Sequence, residues 1–423
     1  MTLKKVNNRS YKSYRTYRTY KKLFTLLILF LLLRGTPLLH AEDFFRVKDN
    51  IIRNAWLKTS LFYLAPGLRF NSMGYNTNIY SYESLESPDW TADLGLELDL
   101  AVILRNRLIL QIKESPSYSL YAENDGERAF NNIFQLSAYT RAGRFNIKYE
   151  FENAYVRQQV NPETGWRVRG WEDNHTLSID YGNMDRFFIN VYLGQNKFAF
   201  EDELFLDSFN MNRLFNRTEY WLGIGLNKIV FTRSRFTFQY EYFDQRFQFS
   251  PQRDRTGQQF SMGFIFPAGS RITGTLRYGL RFIRPNTTFY RDFIAPFGIG
   301  TLYIRLMNRL SLHATYRLDN QYSFAGVDLY YDTRTLGGGL TYRLSRRLRL
   351  SYDLSAGQRS YRLLSGGGET RRDDFYISSA VLSVQLAERS EMGIEYRAYR
   401  SDSTHLRFLR SYDYIGGYIR YDL

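Results

Sequence analysis

The 423-residue chain contains no cysteine. That excludes both a disulfide framework and a thiolate metal site. Histidine is scarce: beyond residue 41 only His175, His313 and His405 remain, and no His/acid group has the spacing of a structural metal site. Long apolar runs are missing too. The longest, "LFTLLILFLLL" at Leu23–Leu33, falls short of the roughly 18–20 residues a spanning helix needs. Beyond it, any contact with a membrane is not made by helices.

The first 41 residues also lack acids. They carry nine Lys and Arg, then the apolar run, then the polar break "RGTPLLHA" ending at Ala41. A basic n-region, a short apolar core and a small residue at the break predict a secretory signal peptide over residues 1–41; the other reading is an N-terminal membrane anchor. Removal of this segment changes the charge argument. The whole chain has 57 Lys and Arg against 42 Asp and Glu, net +15; without the leader the balance is 48 against 42, net +6. A net +15 would invite nucleic acid, whereas +6 spread over the remainder does not, so no nucleic-acid partner is expected.

What the rest of the chain has is alternation. In "DLGLELDLAVIL", Asp93–Leu104, every even position is a large apolar residue, while Asp93, Glu97 and Asp99 fall on the other face. The period of two persists through Phe145–Phe151, Phe187–Leu193, Tyr220–Leu226, Phe236–Tyr242, Leu348–Ala356 and Ile415–Leu423. A helical stripe does not recur after residue 57. Aromatics make up 17 % of the chain, yet its mean hydropathy is −0.42; strands with one apolar and one polar face reconcile the two. The pattern predicts about eighteen strands. Tight connections ("RNR", "GR", "NMD", "SRR") alternate with long polar ones such as "SYESLESPDW" and "LLSGGGETRRDD". A weak repeat starts strand after strand with Arg: Arg107, Arg144, Arg186, Arg235 and Arg309. Such an Arg could reach headgroup phosphates or simply keep a turn soluble.

A soluble β-sandwich would show shorter strands and more irregular loops over this length. A sheet in lipid must close, because an open edge leaves backbone groups unpaired in hydrocarbon. The expected fold is therefore all-β: a closed antiparallel transmembrane β-barrel with short turns at one end and long loops at the other.

These features resemble Gram-negative outer-membrane porin-like β-barrels. "PGLRFNSMGYNTNIY", Pro66–Tyr80, looks like a first strand and loop of that loosely defined group, some members of which accompany surface-polysaccharide systems. "YDYIGGYIRYDL" looks like a C-terminal assembly strand, with Ile419, Tyr421 and Leu423 on one face. The last residue of such a strand is usually aromatic, and here it is Leu423. The resemblance implies a barrel over 57–423, a short periplasmic segment over 42–56, and partners in outer-membrane lipids and the barrel assembly machinery. It leaves open an oligomer of identical barrels. The fifteen residues from 42 to 56 are too few for the plug of an energised receptor.

Eighteen strands enclose an aqueous channel rather than a packed core, so the inward residues define function. Parity turns an acidic wall inward early in the chain (Asp93, Glu97, Asp99, Glu150, Glu152) and a basic wall later (Arg277, Arg281, Arg317, Arg343, Arg349, Arg359). Opposed charges can orient polar solutes; equally, a wet wall carries paired charges merely to hold itself together. The loop "FAFEDELFLDSFNMNRLF" brings Glu201, Asp202, Glu203 and Asp207 among apolar residues. It is a candidate constriction, or else an external cap or a site bridging cations to lipopolysaccharide. Catalysis, a metal and a cofactor are not expected: His175 has no Ser on its face, and His313 has only Thr315. The expected role is a passive channel for small hydrophilic solutes, anions among them. The alternatives are an export barrel for an anionic surface polysaccharide and a non-conducting anchoring barrel.

Overall fold

A computed structural model of the chain describes residues 42–81, 86–105, 107–159, 167–201, 205–206, 209–210, 214–231, 234–266, 271–286, 291–323, 330–362, 369–405 and 409–422. The expected signal peptide lies outside them. Eighteen antiparallel strands form a closed ring. They are β1 (Phe62–Asn76), β2 (Asp89–Leu104), β3 (in two pieces, Leu108–Glu114 and Ser117–Tyr121), β4 (Ala129–Ala142), β5 (Phe145–Gln159), β6 (Arg167–Asn183), β7 (Phe187–Phe200), β8 (Arg217–Val230) and β9 (Ser234–Phe247). The second half holds β10 (Arg255–Phe266), β11 (Ile272–Pro285), β12 (Phe293–Arg305), β13 (Leu310–Tyr322), β14 (Tyr330–Arg343), β15 (Leu348–Arg362), β16 (Glu369–Ala387), β17 (Ser390–Ser403) and β18 (Arg410–Asp422). Each pairs with its neighbours in sequence, and β18 pairs back onto β1, with Gly67 opposite Asp422 and Asn76 opposite Tyr414.

Closure satisfies the backbone, and alternation then sorts the side chains. Leu94, Leu96 and Leu98 of β2 are exposed on the outer face, as are Leu222, Ile224 and Leu226 of β8 and Leu350 and Leu354 of β15. In an outer-membrane barrel that band meets hydrocarbon, and the short-turn end is periplasmic.

The seam between β1 and β18 is irregular. The register shifts between Phe70 and Met73, where Ser72 takes φ +50° and its carbonyl accepts a hydrogen bond from Thr91 Oγ1 at 3.1 Å. Such a bulge sharpens the local twist at the joint. Just past it, a Cβ on Gly74 would overlap the Ile415 carbonyl and the Gly416 Cα.

Within residues 42–56, expected as a short periplasmic segment, Glu42–Asn54 form a helix that packs on the lumen face of the wall. α1 (Glu42–Asn54) places Phe44, Val47 and Ile51 on one stripe at helical spacing. Phe44 and Ile51 pack with Ala101, Ile103 and Ile109 in one buried cluster, with Val47, Tyr63 and Tyr139 around it. These wall residues lie on the lumen parity of β2 and β3, where Asp99 and Gln111 are polar neighbours. The wall turns apolar where the helix covers it. Burial of a large apolar side chain contributes about 1.5–3 kcal/mol, so the stripe holds the helix by several kcal/mol against its ordering cost. Arg141 adds a contact over the Phe45 ring, 5.6 Å from its centroid. Past the helix, Leu57–Lys58 pairs with Leu64 and Tyr63 of β1, a tight return that ties helix to barrel.

Gly74→Val is expected to prevent seam closure. Loss of the heat-modifiable, fast-migrating band on electrophoresis after refolding would show it; a normal folded band would refute it.

Candidate functional site

The lumen is the candidate site, and both expected walls can be placed on it. On the acidic side, Asp99 accepts both amide hydrogen bonds of Gln111 Nε2, at 2.8 Å to each oxygen, with Lys113 Nζ at 3.6 Å. Glu97 pairs with Arg69, and Glu150 with Lys148 at 2.7 Å. Glu152 accepts from Gln135 Nε2 at 2.6 Å, and Asp93 stands opposite Asn71 and Ser119. On the basic side, Arg281 and Arg317 each approach one oxygen of Asp319 at 3.2 Å. Arg349 Nη2 donates to both oxygens of Glu391 at 2.9 Å, and Arg343 stands opposite Arg349 in the ladder. Arg359 is buried, 4.3 Å from the Phe375 ring centroid. Each wall thus carries both signs. These ion pairs lie within one strand (Lys148 with Glu150, Arg317 with Asp319), across adjacent strands (Arg69 with Glu97, Lys113 with Asp99) or two strands apart (Arg281 with Asp319, Arg349 with Glu391). The segregation seen in the sequence is diluted by Arg69, Lys113 and Lys148 on one side and Asp319 and Glu391 on the other.

One region keeps a surplus. In the long-loop half of β8–β14 a cavity of about 730 Å³ is lined by Arg217, Arg255, Arg277, Arg281 and Arg317, against Glu219, Glu241 and Asp319. Arg217 pairs with Glu219 at 2.6 Å. Glu241 is held by neutral donors, Gln259 Nε2 at 2.6 Å and the Tyr192 hydroxyl at 2.9 Å. Arg277 donates to the neutral Gln239 at 3.1 Å. The guanidiniums lie on aromatic faces: Arg281 is 5.0 Å from the Phe297 centroid, Arg277 5.5 Å from the same ring, and Arg255 4.8 Å from that of Tyr330. With the ring beneath, the N–H edges of these guanidiniums donate to protein acceptors: Arg255 to Gln245 and, at 3.2 Å, to Asn320, and Arg281 to Gln259 at 3.1 Å and Asp319 at 3.2 Å.

The sequence reading missed Arg217, Arg255 and the inward aromatics Phe215, Trp221 and Phe243. The signal was present: Trp221 and Phe243 are bulky aromatics on the parity that is otherwise polar.

The constriction loop needs correcting at Glu201. Phe200 is buried, turned inward, so alternation turns Glu201 outward. Its carboxylate accepts from Trp171 Nε1 at 2.6 Å and from the Tyr155 hydroxyl at 3.2 Å, two rings 4.2 Å apart and tilted by 31° on the outer face. It does not face the arginines. Asp202, Glu203 and Asp207 lie outside the described side chains. Among the described residues of that loop, Phe215 lines the cavity.

Strand parity also places the remaining candidate side chains. Arg235 points inward, over the Phe188 ring at 5.4 Å, rather than toward headgroups. His175 lies on the outer face, stacked on Phe151 and 3.0 Å from the Tyr149 hydroxyl. His313 is bonded to Asp353 at 2.7 Å. Ile419 and Tyr421 are exposed on the outer face of β18; Leu423 lies outside the described residues.

Glu201→Gln is expected to leave single-channel conductance in planar bilayers unchanged. A rise in conductance would return Glu201 to the mouth.

No family model matches the chain, and no curated protein does. Solved structures do. It is similar to OccK2 (OpdF) of Pseudomonas aeruginosa, solved in complex with glucuronate, at 11 % identity and TM-score 0.50, over 86 % of this chain and 98 % of that one. The BenF-like porin of Pseudomonas fluorescens Pf-5 gives the same figures: 11 % identity, TM-score 0.50, 86 % and 98 % coverage. At such identity the likeness is one of fold, and the fold of this chain is that of the outer-membrane porin-like β-barrels.

Proposed function

We propose that the chain is an outer-membrane channel for passive diffusion of small hydrophilic solutes, with a preference for anions. It is exported through a leader ending near Ala41 and assembled through the outer face of β18. The observation that carries the preference is the arginine cavity: five guanidiniums against three carboxylates around one lumen cavity. Arginine does not deprotonate in proteins, so the surplus holds at any working pH.

Magnitude separates preference from exclusion. A unit charge about 7 Å from a solute ion in water contributes about 0.6 kcal/mol before salt screening. Two surplus charges therefore favour anions by a few-fold. A filter that admits anions only would need a dry, narrow ring, and the cavity is open and polar.

The test is the zero-current potential of the refolded protein under a potassium chloride gradient. Arg277→Gln with Arg281→Gln is expected to bring anion-over-cation permeability toward unity. Asp319→Asn, which removes the carboxylate between two arginines, is expected to raise it. Identical potentials for all three proteins would sink the anion preference, and a bilayer that stays silent would sink the channel itself. Block by an acidic polysaccharide at concentrations where small anions still pass would favour the export barrel instead.

A further inference from the structure

Three observations single out the N-terminal helix. It has a built seat: Ala101, Ile103 and Ile109 are nearly solvent-free on the lumen face of β2 and β3, beside polar Asp99 and Gln111. It is tied in place, since the chain returns directly into β1 through Leu57–Lys58. Its other side is polar: Asp49, Asn50 and Arg53 are exposed, and Arg53 Nη2 donates to Asn50 Oδ1 at 2.9 Å. Between that side and the wall lies a second cavity of about 380 Å³, where Asn50, Arg53 and Asn54 meet Asp99, Gln111 and Lys113.

Size decides what such a helix can do. Eighteen strands spaced about 4.8 Å apart and tilted about 40° make a round barrel about 36 Å across between backbones. Side chains take up several ångströms on each side. A helix about 10–12 Å in diameter then fills a large share of the remaining width without sealing it. It sits where β2 and β3 meet at the short "RNR" turn, so the narrowing is at the short-turn end. The arginine cavity lies in the other half of the barrel.

We propose that α1 is the selectivity element of the short-turn mouth: seated on its apolar wall patch, it narrows the lumen and presents Arg53 and Asn50 to passing solutes beside Asp99, Gln111 and Lys113. This rests on the channel reading. It adds a second filter in series with the arginine cavity, built from the part of the chain that precedes the barrel. The apolar stripe of the helix serves only to seat it, while its charged side does the selecting.

Two readouts test this on the refolded full-length mature chain. The absence of native cysteine makes Ile103→Cys a unique thiol under the helix. A membrane-impermeant, bulky maleimide is expected to label it slowly, and many-fold faster when residues 42–54 are deleted or when Ile51→Asp unseats the helix. Equal labelling rates would show that the seat is empty in the folded protein and would overturn the proposal. In planar bilayers the same deletion is expected to raise conductance, and Arg53→Glu to shift the zero-current potential toward cations while the thiol introduced under the helix stays protected. If the intact protein conducts and neither change moves conductance or potential, the helix is not a filter and the channel reading stands alone. Silence from both the intact and the deleted protein would bring down both readings. Should the deletion fail to refold, Ile51→Asp supplies the same comparison with every barrel residue intact.

Discussion

Everything in this molecule depends on backbone hydrogen bonding in a medium without water. Each N–H and C=O that crosses hydrocarbon needs a partner, and a ring of paired strands is the one sheet without edges. Once the ring is closed, side-chain direction has a period of two and no freedom of choice. Asp99 faces water because Leu98 and Leu100 face lipid. Glu201 faces outward because Phe200 faces inward. The chemistry of the lumen follows from that parity.

That dependence explains what was legible in the sequence. Strand positions, the inside and outside of each strand and the asymmetry of the connections could all be read, because lipid tolerates few errors in the outer face. The lumen face is under no such constraint. It accepts Glu97, Trp221, Ile109 or Arg359 alike, so its pattern carries little information about what meets what. Arg317 sits two residues from Asp319 on β13, a spacing the alternation does encode, whereas the pairing of Arg281 with Asp319 reaches from β11 to β13, a contact that it does not. The helix was hidden for a different reason. A 13-residue element next to a basic N-terminal stretch offers one stripe of three apolar positions, and its seat, Ala101, Ile103 and Ile109, is interleaved in the run "AVILRNRLIL" with the outward Val102, Leu104, Leu108 and Leu110. Apolar residues on both parities of that run were the trace it left.

The lumen is accordingly less open than its strand count suggests. Arginines lie over the rings of Phe243, Phe297, Tyr330 and Phe375. A guanidinium held against a ring loses rotamer freedom once, in folding. Phe215, just before β8, lines the same cavity. The wall therefore combines fixed charge with fixed shape, whereas a tunnel lined by lysines would offer charge alone.

The seat of the helix has a further consequence, for the unfinished sheet. Its contacts join α1 to β2, β3 and β4, near neighbours in sequence, while the seam joins β1 to β18, the two ends of the barrel. Contacts close in sequence are the less costly to form early. Until the seam closes, a ribbon carrying Leu98, Leu100 and Leu104 on one side and Ala101, Ile103 and Ile109 on the other is adhesive on both faces, the kind of surface through which unfinished sheets aggregate. The segment that precedes the barrel in the chain is the one that covers it, so this protein brings an intramolecular shield for its stickiest stretch.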